Sequence, residues 1–358
     1  MELLSVTMND GVMPRSEIES KDNSSEDKSN YKVVLTGDMV YNSMRMWQGA
    51  NGISPCDGIV SPAYTVLMPK VPISNGYFAA FFKSPNLINE FRRNSQGMTS
   101  DTWNLKYPQI ETIKVCIPAL SEQKRVSDML GTLERRIAKQ AQLVDNLKKY
   151  KRGVMQRIFR QLPTQNGAEW ACVRLGDIFK KVSRRNTDGV IKNVITNSAE
   201  YGLIPQRDFF DKVIAVDGNT ANYYVIENGD FVYNPRKSNS APYGPFNRYT
   251  LSEQGIISPL YTCLVLQADI SPSYLAWYFK SDAWYRYIYD NGSQGVRHDR
   301  VSMTDDLLMG IPVMYPSHVK QLLYADILDM VEARLQATQK TLDLLSKTRD
   351  GYMRQLFI

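Results

Sequence analysis

Apolar residues recur at intervals of three and four positions along two stretches of the chain, 121–161 and 317–358. A narrow apolar seam of this length is typical of a coiled coil rather than of a helix on a globular surface. The pattern predicts two long helices, beginning near Ser121 and Pro316, that pair with each other as an antiparallel coiled coil. One basic residue interrupts each seam, Lys151 in the first and Arg349 in the second. The alternative is that each helix packs on its own domain.

Short runs of β-branched and aromatic residues, separated by Gly, Pro and Asn, precede each long stretch. Such runs are typical of strands bounded by turns. They predict strands at 31–35, 64–68, 190–195, 223–226, 230–233 and 261–267, and helical segments at 76–93 and 273–289. The predicted fold class is α+β, with two tandem α/β domains that each lead into a long helix.

The same motifs occur twice, in the same order, about 195 residues apart. Collinear matches at a nearly constant offset indicate a tandem repeat of one large unit. The matched pairs are Gly37-Asp-Met-Val-Tyr-Asn42 with Gly229-Asp-Phe-Val-Tyr-Asn234, Gly58-Ile-Val-Ser-Pro62 with Gly255-Ile-Ile-Ser-Pro259, Ser95-Gln-Gly97 with Ser293-Gln-Gly295, Ile117-Pro118 with Ile311-Pro312, and Gly153-Val-Met-Gln-Arg-Ile-Phe159 with Gly351-Tyr-Met-Arg-Gln-Leu-Phe357.

The composition offers few residues for catalysis or metal binding. The chain has only two His, and its four Cys form no Cys-x-x-Cys pair, so the cysteines are expected to be small buried residues without disulfides. The glycine-rich motifs that hold ATP or a dinucleotide are absent, and no apolar run is long enough to cross a membrane. These features favour a soluble, cytoplasmic binding or organising protein over an enzyme.

The positive charge is unevenly distributed along the chain. The net charge is +6, but residues 121–161 alone carry +7, whereas 1–120 and 162–316 each carry −1 and 317–358 carries +1. The basic surplus on the first long helix is expected to meet DNA phosphates or an acidic partner. In the nearly neutral domains, any attraction to DNA must depend on where individual Arg and Lys residues lie.

Together these motifs resemble the specificity subunit of type I restriction–modification systems. That family carries two target-recognition domains, each followed by a conserved helical region. Here Ile117-Pro-Ala-Leu-Ser-Glu-Gln123, with the helix that runs to Phe159, matches the conserved region, and Trp170-Ala-Cys-Val-Arg-Leu-Gly-Asp-Ile178 matches the usual opening of a recognition domain. The resemblance covers almost the whole chain.

The resemblance implies four segments: recognition domain 1 at 1–120, helical spacer 1 at 121–161, recognition domain 2 at 162–316 and helical spacer 2 at 317–358. Two features depart from the family pattern. Pro316-Ser-His-Val-Lys-Gln321 stands where the first copy has Leu120-Ser-Glu-Gln123. Because Leu4–Pro14 aligns with Val194–Pro205, the first recognition domain is expected to lack its usual opening. Trimming, a misplaced start and natural truncation are all open as explanations.

A subunit of this family is implied to read a bipartite target in double-stranded DNA, one half with each recognition domain, as part of defence against phage. The paired helices would hold the halves apart as a ruler and bind two modification subunits, which methylate adenine N6, and restriction subunits. The chain itself would be non-catalytic and without cofactor. S-adenosylmethionine, ATP and Mg are expected in the partner subunits, and no membrane is involved.

Loops rich in Arg, Asn, Gln and Ser are the candidates for base reading, because these side chains match the hydrogen-bonding edges of bases. Phosphate contacts alone are the simpler interpretation of such loops. The candidate DNA-binding residues are Arg45, Trp47, Gln48, Gln96, Thr99, Ser100, Arg236, Lys237, Ser238, Asn239, Tyr243, Arg248, Gln294, Arg297, His298 and Arg300. The candidate partner-binding residues on the first helix are Arg135, Lys139, Lys148, Lys151 and Arg157.

Three other hypotheses stay open at this point. The chain could be the recognition subunit of a fused restriction–methylation enzyme, where one partner chain replaces two kinds of subunit. It could be a coiled-coil organiser that does not read DNA. An enzyme acting directly on DNA is the third, and the missing cofactor motifs count against it.

Overall fold

The structure is a computed structural model that describes residues 1–19, 24–208, 220–292 and 299–357. It divides into two compact units. Unit 1 contains residues 1–144 and 337–358, and unit 2 contains residues 145–336. Each unit therefore combines the body of one copy of the repeat with the end of the long helix from the other copy.

Unit 1 is built on two sheets, with strand orders β2-β1-β6-β3 and β5-β4-β7. Short helices and the first part of α4 complete it. Its strands are β1 (Glu2–Val6), β2 (Val12–Pro14), β3 (Lys32–Val34), β4 (Met39–Asn42), β5 (Asn51–Ile53), β6 (Gly58–Val60) and β7 (Tyr64–Leu67). Its helices are α1 (Asn75–Phe81), α2 (Pro85–Asn94), α3 (Tyr107–Ile110) and α4 (Leu120–Gln156), of which α4 continues into unit 2.

Unit 2 begins in α4, which is followed by a π-helical turn, Arg157–Gln161, and by α5 (Leu162–Gln165). A four-stranded sheet of order β14-β13-β16-β9 lies at its centre, with three two-stranded sheets, β10-β11, β12-β15 and β17-β8. Its strands are β8 (Ala171–Arg174), β9 (Phe179–Val182), β10 (Ile195–Ser198), β11 (Gly202–Pro205), β12 (Tyr224–Ile226), β13 (Phe231–Tyr233), β14 (Phe246–Arg248), β15 (Gly255–Ile257), β16 (Thr262–Leu266) and β17 (Pro312–Tyr315). Its further helices are α6 (Leu175–Ile178), α7 (Pro272–Lys280), α8 (Tyr285–Asn291), α9 (Asp305–Met309) and α10 (His318–Leu356), of which α10 continues into unit 1.

The two copies share one order of elements. The hairpin β1–β2 pairs Leu4 with Pro14, and the hairpin β10–β11 pairs Ile195 with Pro205, so Leu4 corresponds to Ile195, one residue after the Val194 expected from the sequence. Each copy then continues with the strand of the Gly-Asp-x-Val-Tyr-Asn motif, its two antiparallel neighbours, three short helices and a long helix. The α+β fold class is confirmed.

The predicted antiparallel pairing of the long helices is confirmed within each unit. In unit 1, Gln140 Nε2 donates to the carbonyl of Thr338 at 2.9 Å, and a guanidinium nitrogen of Arg349 lies 3.7 Å from a carboxylate oxygen of Glu134. The earlier residue of α4 thus meets the later residue of α10. In unit 2, Lys151 Nζ donates to a carboxylate oxygen of Glu332 at 2.6 Å.

The two basic residues that interrupt the apolar seams are those that form these ion pairs. Lys151 bonds to Glu332, and its ammonium also lies 5.4 Å from the centre of the Trp277 ring, a cation–π distance. Burial alone would raise the pKa of Glu332, but the hydrogen bond and the charge of Lys151 hold that pKa below its ordinary value. At both interruptions, therefore, the two helices meet through opposite charges.

Each long helix ends on a phenylalanine that enters the core of the other copy's body. In unit 1, the Phe357 ring is stacked on Phe81 at 5.3 Å and meets Tyr77 edge-on at 5.4 Å. In unit 2, Phe159 contacts the rings of Tyr274 and Tyr278 at 5.5 and 5.8 Å. Both phenylalanines are almost fully buried. The repeated Gly-x-Met-x-x-Ile/Leu-Phe motif thus supplies a buried ring to the core of the other copy's body.

A buried glutamine fastens the start of each long helix to the body that precedes it. The Gln123 side chain accepts from the backbone N–H of Ser74 at 3.0 Å and donates to the carbonyl of Pro118 at 2.9 Å. Gln321 makes the same pair of bonds, with the N–H of Ser271 at 2.8 Å and the carbonyl of Pro316 at 2.9 Å. The start of the second long helix differs in sequence from that of the first, but it keeps the two hydrogen bonds of the buried glutamine.

This contact also corrects one of the expected matches between the copies. Pro118 and Pro316 are equivalent because each carbonyl accepts from the buried glutamine. Pro118 therefore corresponds to Pro316, four residues after Pro312, the match expected from the sequence. The strand β17 corresponds to residues 114–117 of unit 1, which form no strand.

The Gly-Asp-x-Val-Tyr-Asn motif forms a tight turn ahead of the central strand of each body. Gly37 and Gly229 adopt φ of 92° and 98°, which favours glycine because it has no Cβ. The next residue closes the turn, since Asp38 accepts from the N–H of Leu35 and Asp230 from that of Glu227, each at 2.9 Å. Burial raises the pKa of Asp230. The glycine and the aspartate of the motif thus form and close the turn.

Several predictions from local sequence were wrong in detail. The single helical segment expected at 76–93 is two helices, because Ser84 caps α2 and Pro85 begins it. The strand expected at 190–195 begins only at Ile195. All four cysteines were expected to be buried, but only Cys263 is; Cys56 is half-buried, and Cys116 and Cys172 are exposed.

We expect Gln321→Leu to lower the free energy of unfolding by about 1–3 kcal/mol, because it leaves a buried N–H and a buried carbonyl without partners. Urea denaturation followed by tryptophan fluorescence measures this loss. Gln156→Leu, at an exposed position of α4, is the control and should be nearly neutral. Equal effects of the two substitutions would contradict the fastening role of Gln321.

Glu332→Gln should destabilise the protein by about 1–2 kcal/mol at neutral pH, because Lys151 loses its charged partner. The folded-state pKa of Glu332 lies below its ordinary 4.5, so the stabilisation is present above that pH and is lost as pH falls through the lowered pKa. The difference from wild type should therefore shrink in acid. Denaturation curves at several pH values check this, with the exposed Asp326→Asn as control; a difference independent of pH would argue against the ion pair.

Candidate nucleic-acid interface

In each unit a loop leaves the central strand at the asparagine that ends the Gly-Asp motif. Asn42 Oδ1 accepts from the N–H of Met44 at 3.1 Å, and Asn234 Oδ1 accepts from the N–H of Arg236 at 3.0 Å. This side-chain turn directs the chain out of the strand in both copies. We call residues 42–49 and 234–245 the strand-end loops.

A second loop, which follows α2 or α8, joins the strand-end loop in each unit. We call residues 95–105 and 292–301 the late loops; of these, 293–298 lie outside the described residues. The N–H of Leu105 donates to the carbonyl of Ser43 at 2.8 Å, and the N–H of Val301 donates to that of Pro235 at 2.9 Å. Backbone bonds at equivalent positions therefore bring the two predicted loops together in both copies.

In unit 1 the strand-end loop carries an aromatic cluster. The Trp47 indole N–H donates to the carbonyl of Met44 at 3.1 Å, and its ring packs edge-on against Trp103 at 5.1 Å. The guanidinium of Arg92 lies 5.8 Å from the Trp47 ring centre. Arg45 is exposed and Gln48 half-buried beside this cluster. The late loop presents Gln96, Thr99 and Ser100, all exposed.

Two residues of this cluster, Arg92 and Trp103, were missed by the sequence reasoning. They flank the Ser95-Gln-Gly97 motif rather than belong to it. The sequence did contain a signal for them: two arginines, Arg92 and Arg93, end the predicted helix before the motif, and Trp103 follows the motif. Both reach the site only because the late loop folds back, with backbone bonds of 3.0 and 2.8 Å between Gln96 and Asn104.

In unit 2 the strand-end loop borders a groove of about 500 Å³. Lys237, Ser238 and Asn239 line it, together with Tyr243 and Tyr289. The N–H of Lys237 donates to the carbonyl of Asp299 at 2.9 Å, which holds the loop against the end of the late loop. The Tyr243 ring packs against Tyr285 at 5.0 Å, and burial raises the pKa of Tyr285, so its hydroxyl stays neutral.

The remaining candidates of unit 2 fall into three groups. Arg236 and Arg300 form an isolated antiparallel bridge, and Arg236 is exposed. Arg248 lies apart in β14, half-buried, with its guanidinium 3.5 Å from the hydroxyl of Ser273 at the start of α7. Gln294, Arg297 and His298 lie outside the described residues.

Of the five candidate partner-binding residues on the first long helix, four are exposed and one is held in contacts within unit 2. Arg135, Lys139 and Lys148 are exposed on α4, and Arg157 is exposed in the π-helical turn. Lys151 differs from them, because its ammonium is held between Glu332 and Trp277 and is not free for a partner. Within the described ranges there is no cluster of three potential metal ligands, and no helix long and apolar enough to span a membrane.

Comparison with known proteins gives one curated relative and several solved structures of similar fold. The specificity subunit of the type I restriction enzyme StySPI from Salmonella potsdam is 26% identical over 184 residues. That match covers 46% of this chain and only 38% of the relative's length. No protein-family model matches the chain.

Two solved structures share the fold over most of this chain. The type I restriction–modification S subunit from M. genitalium has a TM-score of 0.57 and 14% identity, covering 91% of this chain and 84% of its own. A chain from a study of complex assembly and conformational transition in the type I R-M system has a TM-score of 0.52 and 18% identity, covering 93% and 84%. The family resemblance indicated by the repeated motifs is confirmed: by partial sequence match and by fold, this chain is similar to the specificity subunits of type I restriction–modification systems.

Proposed function

We propose that this chain is the DNA-reading specificity subunit of a type I restriction–modification complex. Each unit reads one half of a bipartite target in double-stranded DNA through its strand-end loop and its late loop. The main support is that one backbone framework presents both loop pairs, with equivalent bonds from Leu105 and Val301, while the exposed side chains differ. Two readers of different half-sites need a common frame and divergent contacts.

Exposed or half-buried side chains on the loops have the chemistry that base reading requires. Arg45 and Arg236 offer paired donors for the O6 and N7 of guanine. Gln48 and Asn239 offer the donor and acceptor that adenine presents in the major groove. Lys237 suits a phosphate, since about half or more of protein–DNA hydrogen bonds go to the backbone. Arg248 is left out of this set because it lies in β14, outside both loops, with its guanidinium near Ser273 of α7.

The paired helices α4 and α10 are proposed to set the distance between the half-sites. Opposite charges meet across the helices in both units, Glu134 with Arg349 and Lys151 with Glu332. Such pairs favour one register of the helices, which a ruler requires. The exposed basic residues of the first helical region, Arg135, Lys139, Lys148 and Arg157, are the proposed contact surface for partner subunits.

Under this proposal the chain binds and positions, while its partners carry out the chemistry. Two modification subunits would bring S-adenosylmethionine to adenine N6, and restriction subunits would bring ATP and Mg. The recognition domains are nearly neutral, so much of the phosphate grip would come from those partners. The alternative of a fused partner enzyme uses the same loops and helices and differs only in the partner chain.

Arg236→Ala should weaken discrimination at one position of one half-site by about 1–3 kcal/mol and leave the other half-site unchanged. Sequencing of methylated adenines in cells that carry the chain with its modification subunit reads out both halves. Lys192→Ala removes an exposed positive charge of unit 2 outside the loops and should leave the motif intact. A loss of complex assembly with Arg236→Ala would show that the loop is structural, and failure of wild type to bind any duplex would overturn the proposal.

The ruler can be lengthened by adding one helical turn to each long helix, next to Gln140 in α4 and next to Thr338 in α10, which contact each other. This double insertion should lengthen the unread spacer and leave both half-sites unchanged. A turn advances about 5.4 Å and a base pair about 3.4 Å, so the spacer should grow by about one to two base pairs. The same methylation readout measures it. Matched insertions keep the helix register, whereas insertion into α10 alone should disrupt assembly; a constant spacer would argue against the ruler.

A further inference from the structure

In each unit the helix that precedes the late loop packs against the strand-end loop. In unit 1 this helix is α2, and its buried Phe91 shares a core cluster with Met46 of the strand-end loop. In unit 2 it is α8, whose buried Ile288 belongs to the cluster against which Tyr243 of the strand-end loop packs. The Tyr285 ring of α8 also lies 5.0 Å from that of Tyr243. The end of this helix therefore borders the proposed reading surface in both units.

Arg92 and Tyr289 occupy the same position on these two helices. The Phe-Lys-Ser motif at 82–84 recurs 197 residues later, and the same offset relates Phe91 to Ile288, which are both buried. The next residue is Arg92 in α2 and Tyr289 in α8. Both are exposed, Tyr289 to 64%. One exposed position thus keeps its place in the frame but carries a cation in unit 1 and an aromatic ring in unit 2.

In unit 1 the side chain at this position is held over the strand-end loop. The guanidinium of Arg92 lies 5.8 Å from the centre of the Trp47 ring, a cation–π distance, and Trp47 packs edge-on against Trp103. No carboxylate among the described residues pairs with Arg92, whereas the adjacent Arg93 bonds to Glu90 at 2.9 Å. The ring therefore positions the guanidinium and leaves its N–H donors available.

In unit 2 the side chain at this position lines the groove beside the strand-end loop. Tyr289 lies there with Lys237 and Asn239. The guanidinium of Arg286, three residues earlier on α8, lies 5.7 Å from the centre of the Tyr289 ring and is itself bonded to Asp290 at 2.7 Å. The ring is therefore supported from its own helix, and it offers apolar surface next to the polar side chains of the loop.

We propose that Arg92 and Tyr289 form a third reading position in their units, where a helix adds a base contact to those of the two loops. This inference rests on the proposed function, because it presupposes double-stranded DNA at the loops. The loop residues beside them also correspond, since Trp47 and Asn239 each lie five positions after the final asparagine of the Gly-Asp motif.

The two side chains suit different bases. The guanidinium of Arg92 has the paired donors that fit the O6 and N7 of guanine, and the ring of Tyr289 offers an apolar surface to the methyl group of thymine. The two half-sites should therefore differ at the base pair read from this position.

The test uses the full chain in complex with its modification subunit. Sequencing of methylated adenines gives the motif, and duplexes with each base pair of the motif replaced in turn then compete for binding. We expect Arg92→Ala to lose about tenfold or more of the preference at one base pair of one half-site and to leave the other half-site unchanged. Arg93→Ala removes the same charge one position away and should keep every preference.

Modified bases identify the atoms that are read. Replacement of the guanine by 7-deazaguanine removes the N7 acceptor, so it should weaken binding by the wild-type complex and have no further effect on Arg92→Ala. Arg92→Met, which keeps the aliphatic stem beside Trp47, takes the place of Arg92→Ala if the latter changes the circular dichroism spectrum.

The corresponding test in unit 2 replaces thymine by uracil, which removes the methyl group. This change should weaken wild-type binding about threefold or more at one base pair of the other half-site. Tyr289→Phe should keep the response because it keeps the ring, and Tyr289→Ala should lose it.

Several results would refute the third reading position while leaving the proposed function intact, because the wild-type complex would still read a bipartite motif. Arg92→Ala could weaken all duplexes alike, which would assign Arg92 to a phosphate. Arg92→Ala and Arg93→Ala could have equal effects. The modified bases could leave wild-type binding unchanged, or could affect the wild type and the Ala variants equally. A wild-type complex that reads no bipartite motif would refute both proposals.

Discussion

The two bodies of this protein depend on an exchange of helix ends. Phe357, from the second copy, fills the aromatic cluster of Tyr77 and Phe81, and Phe159, from the first copy, fills that of Tyr274 and Tyr278. Burial of a phenylalanine side chain contributes about 1.5–3 kcal/mol, so each body gains a substantial part of its core from the other copy's helix. The antiparallel direction of α4 and α10 is what makes this exchange possible. Folding of one body is thereby tied to the helix of the other.

The helices are held at both ends and in register by different forces. Apolar seam residues such as Val144 are buried, but a repeating seam alone permits sliding by a heptad. The hydrogen-bonded ion pair of Lys151 with Glu332 favours one register in unit 2, and the buried glutamines, Gln123 and Gln321, fix where each helix begins relative to its body. Within each unit, these contacts define how the two helices meet, and the glutamines define where each helix joins its body.

Framework and variable contacts are separated in the loops themselves. The turns at Asn42 and Asn234 and the bonds from Leu105 and Val301 use side-chain or backbone groups that are equivalent in the two copies. The exposed side chains between them are free to change without loss of a core contact.

The sequence by itself determined the repeat, the α+β class, the two long helices and the loops that leave the central strands. These follow from short-range patterns: the spacing of apolar residues, the Gly-Asp turn and the duplicated motifs. Lys151 and Arg349 were visible as interruptions, but their meaning was not, because Glu332 and Glu134 are 181 and 215 positions away in the chain. Only the tertiary structure decided which acid each meets, that Arg92 and Trp103 join the unit 1 loops, that Arg248 lies in β14 beside α7, and that Cys116 is exposed. Each of these depends on contacts between distant segments, and no local pattern of residues encodes such contacts.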